Sequence, residues 1–216
     1  ERGLGLAAAG RRDQYGIASS MVELLIKVQE TALHDGLTGF RNRRAFLEAG
    51  AAEVERSRRH GRPLAVVFLD LDRFKALNDT RGHAAGDRAL KAVAKALSGV
   101  LRAIDHNARV GGDEFAAILP EIELEAVSES AARIVAAVRK ALKPFAPVTA
   151  SVGVAWTASA DRDFDELVQV ADDLMYEAKA SRSGAVVVRD VTKAAAKGRG
   201  KGERRVGPHN RRSAAS

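Results

Sequence analysis

Residues 109–119 read Arg-Val-Gly-Gly-Asp-Glu-Phe-Ala-Ala-Ile-Leu, and this stretch decides the fold. Arg109-Val110 leads in and the apolar run Phe115–Leu119 leads out, so the segment predicts two strands joined by a tight turn. Gly111 and Gly112 permit positive φ there and let the backbone approach a bound group closely. Asp113 and Glu114 stand at the tip, and Phe115 turns inward as an anchor. Exposed acids beside a bare glycine backbone suit a metal-bound nucleotide. An ordinary solvated turn is the plainer alternative, since Gly and Asp fill turns generally.

Working outward, the dense apolar run Leu64–Leu71 predicts a buried central strand, preceded by a polar helix from Arg43 to His60 that stops at Gly61 and Pro63. A short helical turn is expected over Arg73–Asn78. Helical periodicity runs over Gly86–Ile104, Leu124–Leu142 and Asp163–Lys179, with further strands at Val148–Trp156 and Ala185–Arg189. Helices and strands alternate around one hairpin, which implies an α+β architecture with helices flanking a mixed sheet. Ahead of it, Ala18, Met21, Leu25, Val28 and Ala32 form a short seam over about Tyr15–Leu33. That seam fits a linker helix pairing with a copy of itself or packing on its own domain. The resulting division is a signalling segment over 1–33, a catalytic domain over 34–190 and a tail over 191–216.

The chain has 216 residues, no cysteine and a net charge of +7. Without cysteine there is no disulfide framework, thiol nucleophile or thiolate metal site. No run approaches the roughly 18 apolar residues of a membrane span, and no secretory signal is present. A cytoplasmic protein is the expectation, and a first residue of Glu rather than Met suggests a piece of something longer. The charge sits in the tail: from Lys193 onward there are eight Lys/Arg against Glu203, whereas residues 1–192 balance at 27 and 27. A segment so poor in apolar residues cannot offset its ordering entropy. It reads as a solvated terminus rather than a nucleic-acid contact.

Asp70 and Asp72 end the buried run, where carboxylates are costly unless a cation meets them. If that strand lies beside the hairpin, Asp70, Asp72, Asp113 and Glu114 converge and raise one another's pKa values. A divalent cation relieves the repulsion, and an oxygen-only donor set points to Mg²⁺ or Mn²⁺ rather than zinc. Lys75, Asn78, Asp79, His83 and Asp87 follow within seventeen residues of Asp70. The lysine can reach phosphates, and the Asn and Asp side chains can match the edge of a purine. A carboxylate accepting from N1–H and the exocyclic amine favours guanine. Together these suggest metal-assisted attack on a nucleoside triphosphate.

Five motifs occur in one order: Asp35-Gly-Leu-Thr-Gly-Phe-Arg-Asn-Arg-Arg44, Asp70-Leu-Asp-Arg-Phe-Lys-Ala-Leu-Asn-Asp79, Gly82-His83-x-x-Gly86-Asp87, Gly111-Gly-Asp-Glu-Phe115 and Ser151-Val-Gly-Val-Ala155. Over about residues 34–189 the chain resembles the GGDEF family of diguanylate cyclases. The resemblance implies a palm-like nucleotidyl cyclase fold with a mostly antiparallel sheet. It also implies a reaction joining two GTP into cyclic di-GMP with loss of two pyrophosphates. Asp70, Asp113 and the Leu71 carbonyl would ligate Mg²⁺, and Asp113 or Glu114 would help deprotonate the attacking 3′-hydroxyl. Asn78 and Asp87 would read guanine with His83 nearby, and Phe74, Lys75, Gly111, Gly112 and Lys179 would hold phosphates. One domain would hold one GTP, so two copies must face each other as a homodimer, commonly under an upstream sensory domain.

Arg102-Ala-Ile-Asp105 ends five residues before Gly111, the family's spacing for a product-inhibition site. Arg102 and Asp105 would bind cyclic di-GMP there, with Arg133 as a third contact, although an Arg-x-x-Asp is more often a surface ion pair. The chain departs from the family after the last helix, where Lys-x-x-Gly-Arg-Asn is usual. Here Lys179 is followed by Ala-Ser-Arg182-Ser-Gly184, leaving Arg182 as the substitute phosphate arginine. Val110 also replaces the usual aromatic. The alternative reading is a catalytically silent module of this fold that binds GTP or cyclic di-GMP.

Overall fold

The run Leu64–Asp72 forms β1, and all nine of its residues are buried because both of its faces are covered. The computed structural model describes residue 21, residues 32–181 and residues 184–192. The linker helix over 15–33 (apart from Met21, Ala32 and Leu33), Arg182 and the tail from 193 lie outside the described residues. Before β1 comes α1 (Arg43–His60), capped by the Asn42 side chain, which accepts from the Ala45 N–H, and ended by Gly61 in the left-handed region at φ 62°.

After β1 come α2 (Phe74–Arg81), α3 (His83–Ser98), β2 (His106–Arg109), β3 (Glu114–Pro120), α4 (Leu124–Leu142), β4 (Thr149–Thr157), α5 (Phe164–Ser181) and β5 (Val186–Asp190). The sequence reading started its Gly86–Ile104 helix too late and merged the 99–105 loop into it. A glycine at 82 with φ 76° separates α2 from α3 instead. The strand order is β2-β3-β1-β4-β5, antiparallel except for β4 against β5. This is the mixed, mostly antiparallel sheet expected from sequence.

Side-chain alternation divides the core. Ala65, Val67, Leu69 and Leu71 of β1 pack with Leu90, Val93 and Leu97 of α3 and Ile134 and Val138 of α4. Leu64, Val66 and Phe68 face the other way, onto Phe46 and Val54 of α1 and Leu167, Ala171 and Leu174 of α5. One close approach governs the site. A Cβ at Gly153 of β4 would collide with the α5 backbone at Ala171 and Met175, so only glycine lets that helix lie flat on the sheet. Lys179 is thereby carried over the end of β1.

Candidate active site

Asp70 and Asp72 continue the β1 alternation onto the α5 side, yet their surroundings differ. Asp72 is 3% exposed, and its carboxylate accepts from Thr149 Oγ1 at 2.7 Å, from Ser151 Oγ at 3.0 and 3.1 Å and from the Gly184 N–H at 3.1 Å. With its lone pairs so occupied, Asp72 ties β1 to β4 and to the turn before β5. This corrects the expectation that four carboxylates converge. Among the described residues, Asp70 pairs with the Lys179 ammonium, 2.6 Å from its Oδ1.

Pairing of β1 with β3 sets Asp70 directly across from Glu114, and the Leu71 N–H donates to the Asp113 carbonyl at 3.2 Å. Burial, and then the Asp70 charge, raise the Asp113 carboxyl above its ordinary value. Burial, then Asp70, Asp113 and Asp172, do the same to Glu114. Asp172 of α5 is itself raised by burial, then by Asp173 and Asp70. The Lys179 ammonium is raised chiefly by its hydrogen bond to Asp70. Sequence reasoning missed Asp172, although its place two helical turns before Lys179 put it on the same face.

Among the described residues no three His, Asp or Glu side chains are close enough to hold a metal ion as they stand. The donor chemistry still fits a hard divalent cation: Asp70, Asp113 and the Leu71 carbonyl offer oxygen only, in a place of excess negative charge. Such an ion would compete with Lys179 for Asp70.

The glycines of the hairpin are not there for positive φ, which neither Gly111 nor Gly112 adopts; this corrects the sequence expectation. A Cβ at Gly111 would strike the Glu114 carboxylate, whereas a Cβ at Gly112 would meet nothing within 4 Å. The first glycine makes room for an acid and the second leaves an open approach for a ligand. Phe115 is fully buried as expected, edge-on to Phe40 with centroids 6.1 Å apart. Arg109, read from sequence only as a lead-in, donates to the Gly112 carbonyl at 2.6 and 3.2 Å and pairs with Asp35 at 3.0 Å.

The α2–α3 corner carries the other half of the site. Among the described residues, the Asn78 Oδ1 is a buried side-chain oxygen with no hydrogen-bond partner, the kind of group a ligand donor satisfies. It presses on Gly86, where a Cβ would collide with it and with the Phe74 ring. Asp87 adjoins Gly86 and is exposed, as are Lys75 and His83 at the same corner. The sequence-predicted purine readers thus occupy one place, while Arg182 lies outside the described residues.

Residues 32–185 match the family described as "Diguanylate cyclase, GGDEF domain". The chain belongs to the GGDEF family. It is 37% identical over 168 residues to diguanylate cyclase VdcA of Vibrio cholerae, covering 74% of this chain and 48% of that protein. It is 38% identical to the response regulator PleD of Caulobacter vibrioides, covering 73% of this chain and 36% of that one. The chain thus spans about half or less of these curated relatives. Among solved structures, the coiled coil and GGDEF domain of Caulobacter crescentus DgcB, in complex with c-di-GMP, superposes with a TM-score of 0.76 at 26% identity. The match covers 84% of this chain and 98% of that one.

At the far end of β3 the GGDEF domain brings Arg102, Asp105 and Arg133 to one shallow pocket, with Ser130 between them. Arg102 is closed upon Asp105: Nε and Nη2 donate to Oδ1 at 3.1 and 2.8 Å, and the Arg102 N–H donates to Oδ2 at 2.7 Å. Its Nη2 also donates to the Pro120 carbonyl at 2.8 Å. The Asp105 side chain is 3% exposed, so the pair is an ordered lock rather than a loose surface ion pair. Among the described residues no helix is long and apolar enough to cross a membrane.

Proposed function

We propose that this GGDEF domain is an active diguanylate cyclase, condensing two GTP into cyclic di-GMP with release of two pyrophosphates. One observation carries the reading. The end of β1 and the hairpin tip bring Asp70, Asp113 and Glu114 together, with Lys179 on Asp70, on the strand end that leads into Asn78, whose Oδ1 has no partner among the described residues. Carboxyls held at raised pKa beside an open backbone are groups that a nucleotidyl transfer site can use for metal binding and proton transfer.

Asp70, Asp113 and the Leu71 carbonyl would hold Mg²⁺, or Mn²⁺ in its place. The ion's chemistry is to orient the triphosphate and neutralise charge on the leaving pyrophosphate. Lys179, released from Asp70, reaches the β- and γ-phosphates, and the backbone at Gly111, Gly112 and Phe74 lies along the remainder with Lys75. Asn78 and Asp87 select guanine by accepting and donating at its edge. Asp113 or Glu114, each with a raised carboxyl pKa, accepts the proton of the incoming 3′-hydroxyl. Each domain supplies one GTP, so a two-fold pair of domains completes the reaction. The Arg102–Asp105–Arg133 pocket binds the product and restrains the enzyme.

The test is direct. Concentrated protein is incubated with GTP and Mg²⁺ while a phosphodiesterase removes product, and linear pGpG is followed. Formation of pGpG from GTP and not from ATP supports the reading. GTP binding without turnover, at concentrations that give a dimer by light scattering, overturns it in favour of a silent binding module.

A further inference from the structure

Arg109 ends β2, and its guanidinium serves two acceptors of different kinds at once. Nη1 bridges both oxygens of Asp35 at 3.0 and 3.1 Å, while Nη2 and Nε close on the Gly112 carbonyl at 2.6 and 3.2 Å. Only a planar fork with donors on two edges does this; an ammonium offers a point charge. The pair is largely shielded, at 15% and 22% side-chain exposure, so solvent competes weakly for either partner.

Backbone hydrogen bonds hold the two flanks of the tip: the Leu71 N–H donates to the Asp113 carbonyl at 3.2 Å, and the Val110 and Gly111 N–H groups donate to the Glu114 carbonyl at 3.0 and 3.4 Å. Gly112 carries no side chain, and among the described residues nothing lies within 4 Å of where a Cβ would stand. Asp35, in contrast, is anchored: it accepts from the Thr38 hydroxyl at 2.6 Å and from the Thr38 N–H at 2.9 Å. Its own N–H donates to Phe40, whose ring packs on Phe115. The same loop is tied to the chain that precedes it. The Asn42 side chain donates to the Ala32 carbonyl at 2.8 Å and the Asn42 N–H to Leu33 at 2.9 Å, while the Arg109 N–H donates to Arg41 at 2.9 Å.

We propose that Arg109 is a positioning residue that latches the hairpin tip to the Asp35 loop, so that the placement of Asp113 depends on the segment through which the chain arrives at the domain. The peptide between Gly112 and Asp113 is the one Arg109 holds, and rotating it swings the Asp113 carboxylate away from Asp70. Asp35 acts only through Arg109. The catalytic consequence rests on the diguanylate cyclase reading; the mechanical one does not.

The experiment uses the full chain with R109A, R109K, D35N and the D35N/R109A double variant, each confirmed folded by circular dichroism. Two readouts are taken: steady-state GTP turnover with product removed, and hydrogen exchange at the amides of residues 110–114. R109A is expected to lower kcat about 100-fold, the scale of a misplaced reacting group. The KM for GTP should stay within about threefold because the Asn78–Asp87 corner is untouched. R109K should recover part of the loss, and the double variant should be no worse than R109A. Tip exchange should quicken in R109A and D35N, while the β1 amides stay protected. Unchanged tip exchange, a kcat within about twofold of the parent, or losses that multiply in the double variant each overturn the latch. If R109A does not fold, D35N decides by the same readouts. A parent protein with no turnover overturns the cyclase reading, and tip exchange then decides the latch alone.

Discussion

The two ends of β3 are built on opposite plans. At Glu114 the strand begins among carboxyls whose pKa values are raised by burial and then by one another's charge, with the Lys179 ammonium bonded to Asp70. At Pro120, about 20 Å away at roughly 3.4 Å per residue, the strand ends on an arginine whose donors are matched to Asp105 and a backbone carbonyl. The first end is held short of electrostatic satisfaction, and on the proposed reading a cation and a nucleotide would stabilise it. The second is satisfied already, and a ligand must open it. The proposed assignment of turnover to the first end and restraint to the second matches these two different starting states.

The sharpest break of this contrast is D113N. On the proposed reading it removes a metal oxygen and a proton acceptor together, and cyclic di-GMP synthesis should fall by a factor of about 1,000 or more. The same change should raise the melting temperature of the metal-free protein, because it relieves repulsion. The sign follows from linkage: a carboxyl whose folded pKa is raised binds its proton more readily when folded, so folding is favoured at low pH. That advantage is lost as pH rises from the ordinary carboxylate range through the raised value. The stability gain of D113N should therefore be present above that window and vanish below it. Melting curves from pH 3 to 8 check this, and Mg²⁺ should stabilise the parent more than the variant.

Next in size is N78A, which takes away the proposed purine contact without touching the carboxyls. The KM for GTP should rise about 10- to 100-fold, with a smaller change in kcat and a narrower preference for GTP over ATP. A comparable loss of kcat instead would place Asn78 with the catalytic end rather than the guanine corner. D72A tests a different contrast, between two aspartates on one strand face. It removes the acceptor of the Ser151 hydroxyl and the Gly184 N–H, and one acceptor of the Thr149 hydroxyl, so a stability loss of about 2–4 kcal/mol is expected in urea titrations. D70A, which leaves one exposed lysine without its acid, should cost far less.

The fold was legible because its elements follow strong patterns: β1 is an apolar run, α1 stops at a glycine, and α4 carries its helical period in plain view. The hairpin motif gave the position of Asp113 and Glu114. What stayed hidden depends on contacts between segments distant in sequence. Asp72 looked like a fourth acid of the site because its role lies in hydroxyls nearly eighty residues away. Gly111 looked like a turn glycine, whereas its smallness serves the Glu114 carboxylate. Arg109 looked like the tail of a strand, and only the folded chain shows Asp35, 74 residues earlier, against it. The separation of α2 from α3 was legible, but α3 begins at His83 and ends at Ser98 rather than running from Gly86 to Ile104.

The smallest expected effect probes the satisfied end. R102A leaves the Asp105 carboxylate with the backbone N–H of residue 102 as its remaining partner from this set, so a stability loss of about 1 kcal/mol is expected. The initial rate before product accumulates should stay within about twofold, because Arg102 lies at the opposite end of β3 from the reacting groups. Inhibition by added cyclic di-GMP should weaken at least about tenfold, the share of one charge-assisted fork. R102K separates the two uses of the side chain. An ammonium can restore a single bond to Asp105 and so most of the stability, but it cannot span a carboxylate and a carbonyl or stack flat on a purine. Stability should return in R102K while inhibition does not. If instead inhibition returns with stability, the arginine serves only to order the loop, and the contrast between the two ends of β3 reduces to a difference in packing.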